Sequence, residues 1–364
     1  MKITIIAGAR PNFMKIAPII QAIETKQQQG ISVTYRLIHT GQHYDKNLSD
    51  TFFDELGIPA PHNNLNVHGG TQAEQTGAIM VGFEKELKEN PCDLVAVVGD
   101  VTSTMACTIV AKKANTKVAH IEAGIRSGDL KMPEEINRMV TDSITDYFFT
   151  TSEKASENLI QLGHPKQNIF FVGNVMIDTL MRNLPKLKKP SVWDELVLFK
   201  QKYYVLTLHR PSNVDSLVSF SKLLQLIVEK SNGQPIIFPV HPRTQKILQQ
   251  ANLTFKNLHY ISPQGYLSFI YLVKNAQAVF TDSGGITEEA SILNVPCITF
   301  RDSTERPETC TLGTNVLVGN DTDAINKTFK TLDAGDWKQG KPIPKWDGSA
   351  AVRIVDHLLE IYGK

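Results

Sequence analysis

The stretch VFTDSGGITEEASILNVPCITFRDSTERPE, residues 279–308, decides the predicted fold, and it begins with an apolar run typical of buried parallel strands. Residues 281–283 are N-cap types, and helical spacing follows from Ile286. Between them, Gly284 and Gly285 let a ligand approach the backbone closely. Such a turn presents free N–H groups and the positive end of a helix dipole, so it predicts an anion site, usually for phosphate. Taken alone, the motif also fits a capped helix with a flexible turn.

Length and composition indicate two globular domains. The chain has 364 residues, of which 41% are hydrophobic and 21% charged, enough material for two cores. Its 38 Lys and Arg nearly balance its 37 Asp and Glu, so no overall charge favours nucleic acid or an anionic membrane as a partner. The four cysteines are scattered without CxxC spacing, which favours a reducing compartment. No apolar run reaches the length of a membrane span, and we expect a cytoplasmic protein.

Short apolar runs alternate with amphipathic segments along the chain. This rhythm predicts parallel strands joined by right-handed crossovers, with helices on both faces of each sheet. In the first half we expect a loop at 9–12, helices at 14–28 and 48–56, and strands at 3–7, 33–39, 94–98, 118–121, 147–150 and 169–172. In the second half we expect strands at 203–208, 235–240, 259–261, 278–281 and 297–300.

The fold class predicted from this rhythm is α/β, with two doubly wound Rossmann-like domains that face a cleft. We expect the first domain at residues 1–174 and the second at 175–345. The proline- and lysine-bearing stretch 184–190 is predicted to be a linker or surface loop. A last helix within residues 346–364 is predicted to cross back onto the first domain.

Ionisable side chains lie just past the predicted strand ends, where ligands bind in open α/β sheets. Each has a structural explanation when taken alone: Asp100 as a helix cap, Glu134 as a partner of a helix dipole, His209 as a core histidine. Together they occupy six or more successive strand ends, which capping does not explain, so they predict an active site. The set comprises Arg10, Lys15, Gln42, His43, Asp100, Glu122, Arg126, Glu134, Glu135, Arg138, His209, Arg210 and His241.

Several cofactor and enzyme classes lack their motifs. The histidines show no HExxH spacing and no cysteine joins them, so we expect no catalytic metal. The first strand is followed by GARPNF instead of GxGxxG, which argues against a nicotinamide cofactor. No GxSxG occurs, so a serine-hydrolase elbow is missing. The sequence therefore predicts an enzyme without a cofactor.

The motifs themselves resemble the UDP-N-acetylglucosamine 2-epimerase family. The resemblance runs from the first strand to about Pro307, and its blocks are specific in this order. They are GARP with Lys15, HTGQH at 39–43, GD at 99–100, HIEAGIRSGD at 120–129, PEEINR at 133–138, DSGGITEEA at 282–290 and RDSTERPE at 301–308. The resemblance implies a fold like that of the GT-B glycosyltransferases, a homodimer, and UDP held mainly by the second half.

Residue roles follow from the resemblance alone. It implies that Ser283, Gly284 and Gly285 hold phosphate and that Glu289 holds the ribose. It places Asp100, Glu122 and Glu134 at the sugar, with His209 as a further catalytic residue. It completes the UDP and diphosphate contacts with Arg10, Lys15, Arg138, Arg210, His241 and Arg306. A second UDP-sugar, acting as an activator, would contact Gln42 and His43.

The chemistry of the sugar restricts the reaction. The hydrogen on C2 of an N-acetylhexosamine is not next to a carbonyl, so its direct removal is too slow. Transient oxidation would need the nicotinamide whose motif is missing, so we favour elimination of UDP to a 2-acetamidoglycal. UDP then adds again while C2 is protonated from the opposite face. This requires a base, an acid and cations for the leaving diphosphate, and which carboxylate is base and which acid stays open.

The sequence also departs from the commonest family pattern. Asn12 stands where many members have Glu, and the loop at 128–134 lacks an aromatic-proline insertion. The GARPxF start and the shortened MPEE loop resemble the branch acting on UDP-2,3-diacetamido-2,3-dideoxyglucuronate, so the sugar stays open. Lys131 is either a partner for a uronate carboxylate or a solvated loop lysine. A hydrolysing 2-epimerase, a GT-B glycosyltransferase and an inactive nucleotide-sugar sensor are further alternatives.

Overall fold

The computed structural model describes residues 1–41, 55–240, 244–245, 247–248 and 253–363. They form two compact units, Met1–Arg182 with Pro344–Lys364, and Asn183–Ile343. Each unit is built on a parallel sheet with helices between its strands. The predicted fold class, α/β with two doubly wound Rossmann-like domains, is confirmed.

The first unit contains a sheet of seven described strands in the order β3-β2-β1-β4-β5-β6-β7. The strand order reverses between β1 and β4, which is where open α/β sheets bind ligands. The strands are β1 Lys2–Ala7, β2 Thr34–His39, β3 Asn63–Asn64, β4 Leu94–Val98, β5 Lys117–Ile121, β6 Tyr147–Thr150 and β7 Ile169–Phe171. The helices are α1 Arg10–Gln28, α2 Gln72–Glu89, α3 Thr102–Lys113, α4 Pro133–Ile144, α5 Glu153–Gln161 and α6 Val175–Asn183, with α14 Ala350–Ile361 from the end of the chain.

The second unit contains a sheet of six described strands in the order β10-β9-β8-β11-β12-β13. Its order reverses between β8 and β11, and its core includes the stacked rings of Phe280 and Phe329. The strands are β8 Tyr204–Thr207, β9 Ile236–Pro239, β10 Leu258–Ile261, β11 Ala278–Thr281, β12 Cys297–Thr299 and β13 Asn315–Leu317. The helices are α7 Ser191–Glu195, α8 Pro211–Val214, α9 Leu217–Lys230, α10 Tyr266–Asn275, α11 Gly284–Ile292, α12 Pro307–Thr311 and α13 Thr322–Asp333.

The last helix, α14, lies in the first unit, where it packs against α1. Asp178 of α6 accepts hydrogen bonds from the backbone N–H groups of Ala350 and Ala351, at 3.1 and 2.7 Å, which caps the start of α14. Thr179 also donates to the carbonyl of Met14. Since α6 is bound within the first unit by these contacts, the units divide at 182/183 and 343/344. The boundaries predicted from the sequence, at 174/175 and 345/346, fall a few residues away.

Residues 9–12 are the clearest error in the predicted elements. They were expected to form a loop, but α1 begins at Arg10. Pro11 fits the first turn of a helix, where a missing N–H costs nothing. The Asn12 side chain accepts hydrogen bonds from the backbone N–H groups of Gly8 and Ala9, at 3.2 and 2.9 Å. The predicted helix at 48–56 lies largely outside the described residues.

Helix α13 was not predicted, although the sequence contains its signal. Asp321 caps it by accepting hydrogen bonds from the N–H groups of Asp323 and Ala324. Ile325, Phe329 and Leu332 then recur at helical spacing, and all are buried.

We predict that Gly173→Ala destabilises the first unit more than Gly163→Ala. Both glycines have left-handed backbones, with φ of +96° and +90°. A Cβ at Gly163 meets open space, whereas a Cβ at Gly173 would overlap the carbonyl oxygen of Lys345 in the segment that returns to this unit. Gly163→Ala should therefore lower the free energy of unfolding by about 1 kcal/mol, the cost of the backbone alone. Gly173→Ala should add ~1–3 kcal/mol of steric strain.

Urea unfolding followed by circular dichroism measures both variants under one set of conditions. Equal losses in the two variants would show that the return segment does not rest against Gly173.

Candidate active site

Two turns at the carboxyl edge of the first sheet carry Asp100 and Glu122, two of the carboxylates predicted to lie at the sugar. Strands β4 and β5 pair in register up to Val98 and Ile121, and the N–H of Gly99 donates to the carbonyl of Ile121 at 3.0 Å. Asp100 and Glu122 therefore sit in neighbouring turns. Glu122 has φ +69°, a left-handed backbone that is uncommon for this residue type. Such strain is typical of residues held in place for function.

Glu122 is paired with Lys15. The Lys15 Nζ lies 2.5 Å from Glu122 Oε2, and the Glu122 side chain is only 3% exposed. Asn12, one helical turn before Lys15, donates from Nδ2 to the carbonyl of Val98 at 3.0 Å. Asn12 thus ties the start of α1 to the end of β4 and aims Lys15 at the turn that follows β5. Sequence reasoning noted Asn12 only as a departure from the family pattern and did not predict this role.

Asp100 is paired with Arg138 of α4. Its backbone carbonyl accepts a hydrogen bond from Asn137 Nδ2 at 2.8 Å. The N-cap residue of α3 is Val101, without a side-chain capping bond, so the Asp100 carboxylate does not cap this helix. The structural explanation for Asp100 is therefore wrong, and its carboxylate is held beside a cation instead.

Adjacent glutamates in the first turn of α4 have different surroundings. Glu134, predicted to contact the sugar, is exposed. Glu135 is buried and accepts hydrogen bonds from the N–H groups of Ser127 and Gly128, at 3.0 and 3.1 Å, and from Arg138 at 3.0 Å. Burial raises the pKa of Glu135, but these donors outweigh burial and hold the pKa below its usual value. Glu135 is therefore an ionised carboxylate, and its hydrogen bonds hold the loop before α4 in place.

A further ionic group lies beneath the same turns. His120 is fully buried, with Nδ1 2.7 Å from Asp142 Oδ1 and Nε2 2.8 Å from the carbonyl oxygen of Gly99. Asp142 Oδ2 also accepts from the N–H of Gly124 at 3.1 Å and pairs with Arg126 at 2.7 Å. Sequence reasoning missed His120 and Asp142, although His120 belongs to the quoted HIEAGIRSGD block.

In the second unit, the turns after β8 and β11 lie side by side because Thr207 pairs with Thr281. Asp282 is fully buried, and it accepts hydrogen bonds from the N–H groups of His209 and Arg210, at 3.0 and 2.9 Å. His209 Nδ1 lies 2.9 Å from Asp282 Oδ1. Burial raises the pKa of Asp282, but the hydrogen bond and charge of His209 hold it below its usual value. Asp282 orients His209.

Residues 281–283 were predicted to supply the N-cap of the next helix, and Asp282 among them binds the turn after β8 instead. Ser283 occupies the N-cap position of α11 without a side-chain capping bond. The N–H of Ser283 donates to Thr281 Oγ1 at 2.9 Å. The helix opens with Gly284 and Gly285, which are half-buried, at the start of a nine-residue helix. This is the backbone arrangement expected of an anion site.

Arg301, which follows β12, lies close to the same turn. Its Nη1 is 3.9 Å from the position that a Cβ of Gly284 would occupy. Its two terminal nitrogens bind the carboxylate of Glu305, each at 2.8 Å. Arg301 was not predicted, although its place just past a strand end is the signal that identified the other residues.

Glu289 and Arg306, both predicted to bind UDP, are buried, and each side chain has its own polar partner. Glu289 Oε1 accepts a hydrogen bond from the Tyr266 hydroxyl at 3.0 Å. Burial, together with the neighbouring charge of Glu288, raises the pKa of Glu289 to about 8. Arg306 pairs through Nε with Glu288.

A cavity of about 370 Å³ lies past the ends of β9 and β10, and Tyr260 is among its lining residues.

The remaining predicted residues are placed less fully. Arg10 is the first residue of α1. Gln42, His43 and His241 lie outside the described residues. Among the described residues, no group of three or more His, Cys, Asp or Glu side chains is arranged to hold a metal ion. None of the described helices has the combination of length and apolar character that crossing a bilayer requires.

Comparison with known proteins identifies the family. The family model described as UDP-N-acetylglucosamine 2-epimerase matches residues 24–359. The UDP-N-acetylglucosamine 2-epimerase of Methanocaldococcus jannaschii is 42% identical over the whole of both chains. Its crystal structure in complex with UDP-GlcNAc and UDP matches 99% of this chain and 100% of that one, with a TM-score of 0.89 at 41% identity.

A relative with another sugar is also similar. The UDP-2,3-diacetamido-2,3-dideoxy-D-glucuronate 2-epimerase of Pseudomonas aeruginosa is 38% identical over 99% of this chain and 100% of its own. The resemblance stated from the motifs is therefore confirmed over the full length, and this chain belongs to the UDP-N-acetylglucosamine 2-epimerase family.

Proposed function

We propose that this chain is an epimerase that inverts C2 of a UDP-N-acetylhexosamine, converting UDP-N-acetylglucosamine to UDP-N-acetylmannosamine. The observation that carries the proposal is the pair of neighbouring turns after β4 and β5, each with a carboxylate held against a cation. Glu122 is paired with Lys15, and Asp100 with Arg138. Proton transfer on two faces of a sugar and charge stabilisation of a leaving diphosphate need these groups together.

The reaction proceeds by elimination and re-addition. A carboxylate takes the proton from C2, the C2–H electron pair forms the C1–C2 double bond, and UDP leaves C1 with the electron pair of the C1–O bond. The product is a 2-acetamidoglycal with UDP still bound. The diphosphate oxygen then attacks C1 while a carboxylic acid delivers a proton to the other face of C2. Atoms and charge balance without a cofactor.

The carboxylates of the first unit act on the sugar in this proposal. Glu122 is buried against Lys15, whereas Asp100 is partly exposed and Glu134 is exposed in the first turn of α4. Several carboxylates at different positions can supply a base and an acid on different faces of the sugar. The proposal divides the two proton transfers among these three residues and does not order them.

The second unit holds UDP in this proposal. The N–H groups of Gly284 and Gly285 and the hydroxyl of Ser283 bind the phosphates at the start of α11, where the helix dipole favours an anion. Arg301 beside Gly284 adds a cation, and His209, oriented by Asp282, supplies a donor for the leaving diphosphate. Glu289 binds the ribose. Arg10, Arg210, His241 and Arg306 belong to the same proposed binding set.

Finer assignments rest on the family. The proposal includes a homodimer, a cytoplasmic enzyme of polysaccharide biosynthesis, and a second UDP-sugar that activates the enzyme at Gln42 and His43. UDP-2,3-diacetamido-2,3-dideoxyglucuronate is the alternative substrate. The similarity to the Pseudomonas aeruginosa enzyme supports it, as does Lys131, an exposed cation in the loop before α4. Assays with both UDP-sugars side by side decide between them.

We predict that turnover in deuterated water places deuterium at C2 of both epimers while UDP stays attached. The C2 hydrogen is lost to a carboxylate that exchanges with solvent, so each turnover exchanges it. Proton NMR of UDP-N-acetylglucosamine incubated with the enzyme follows this exchange. Free N-acetylmannosamine would indicate a hydrolysing enzyme instead, and turnover without deuterium would exclude the elimination.

We predict that Glu122→Gln and Asp100→Asn each lower kcat by ~10²–10⁴-fold, the usual effect of losing a general acid or base. Glu86→Gln is the matched control, because Glu86 is equally buried, at 3%, and also pairs with a cation at 2.5 Å, the Nε of Arg36. The control should retain activity within a few-fold. Full activity in both Glu122→Gln and Asp100→Asn would refute the proposed roles.

We predict that uridine binds more tightly as the pH rises from about 6 to about 8. The pKa of Glu289 is raised to about 8, and a ribose hydroxyl donates a stronger hydrogen bond to an ionised carboxylate than to a neutral acid. Binding therefore releases a proton below that pH, and the Kd should fall by up to about tenfold per pH unit. Calorimetry with uridine, which does not titrate in this range, measures it. Glu289→Gln should remove the pH dependence, and an unchanged slope in this variant would exclude Glu289 as its source.

A further inference from the structure

We infer that His120 and Asp142 form a positioning pair that fixes the turns of Asp100 and Glu122 relative to each other, with His120 protonated on both ring nitrogens. This inference rests on the proposed function for its catalytic consequence. Neither residue reaches the proposed reacting atoms, since His120 and Asp142 are both fully buried. Their effect passes through the backbone of the two turns.

The protonation of His120 follows from its neighbours. The Nε2 atom lies 2.8 Å from the carbonyl oxygen of Gly99, which can only accept a hydrogen bond, so Nε2 must carry a proton. The Nδ1 atom lies 2.7 Å from Asp142 Oδ1. An ionised Asp142 can also only accept, so Nδ1 must carry a proton as well.

Asp142 has donors that keep it ionised. Its second oxygen accepts from the N–H of Gly124 at 3.1 Å and pairs with Arg126 Nη1 at 2.7 Å. A buried carboxylate that accepts from a guanidinium and a backbone N–H is favoured as the anion independently of the histidine. His120 and Arg126 therefore share one buried negative charge.

The hydrogen bonds join the two functional turns. The Gly99 carbonyl belongs to the peptide group that leads into Asp100, and the N–H of Gly124 follows Glu122 by two residues. Glu122 has a left-handed backbone, with φ of +69°, which costs free energy at a residue other than glycine. Surrounding contacts are needed to hold such a backbone. The His120–Asp142 pair supplies such contacts to both turns, through the Gly99 carbonyl and the Gly124 N–H.

Loss of this restraint should change catalysis more than substrate binding. A misplacement of about 1 Å in a reacting group can cost ~10²-fold in rate. The 2-acetamidoglycal must stay bound until the second proton is delivered to its other face. If the two carboxylates are misplaced, elimination occurs but re-addition slows, so the glycal and UDP escape. A structural role in stability alone would not alter this partition.

The test compares His120→Asn with His120→Gln. The amide nitrogen of Gln reaches about as far as Nε2 and keeps the hydrogen bond to Gly99, whereas that of Asn reaches about as far as Nδ1 and keeps the bond to Asp142. We expect kcat to fall ~10²-fold in the Asn variant and ~10-fold in the Gln variant. KM should change little, and the glycal released per epimerisation should rise most in the Asn variant. Equal losses in the two variants, or a loss without extra glycal, would overturn the positioning role.

A measurement on the unmodified enzyme covers the case in which a variant fails to fold. Protein labelled with nitrogen-15 in histidine should show one-bond N–H signals from both nitrogens of a solvent-shielded ring near neutral pH. A spectrum without a doubly protonated, shielded histidine overturns the inference, whether or not the variants fold. Absence of turnover in the unmodified enzyme would instead overturn the proposed function and leave the ring protonation to stand on the spectrum.

Discussion

A carboxylate that leaves water must be met by donors, and this constraint organises the rims of both sheets. Glu135, Asp142 and Asp282 are almost completely buried, and each accepts N–H groups from a turn that carries or borders a proposed functional residue. Removing a partner from a buried charge costs about 3–5 kcal/mol, so these turns have few alternative conformations. The precision of the candidate site therefore comes from anions that do not take part in the proposed chemistry.

Each unit contains an aspartate–histidine pair, and the two pairs have different roles. In both, a buried aspartate lies against a histidine Nδ1, at 2.7 Å for Asp142 with His120 and 2.9 Å for Asp282 with His209. His120 is fully buried, and its Nε2 atom is hydrogen-bonded to the backbone carbonyl of Gly99. The His209 side chain is 45% exposed, so its ring reaches the rim. One histidine thus stabilises a turn, while the other is presented, in the proposed function, to the leaving diphosphate.

The sequence predicted the architecture well, because buried parallel strands are continuous apolar runs and strand ends gather ionisable residues. It could not separate Glu134 from Glu135, since one residue on a helix turns the side chain by about 100° and only packing decides which faces inward. Residues 281–283 were predicted to cap a helix because local rules favour that function, yet Asp282 makes a tertiary contact with His209 instead. The role of His120 depends on Asp142, 22 residues away, and no local pattern encodes such a pair.

The ion pair between Lys15 and Glu122 joins a cation to one of the three carboxylates that transfer protons in the proposed reaction. Lys15 Nζ lies 2.5 Å from Glu122 Oε2, and the Glu122 side chain is only 3% exposed, so the two charges are held together away from water. In the proposed reaction the same ammonium group is a cation that can also face the negative charge developing on the leaving group. A lysine suits both contacts better than an arginine, because its compact charge moves between two anions without breaking a bidentate geometry.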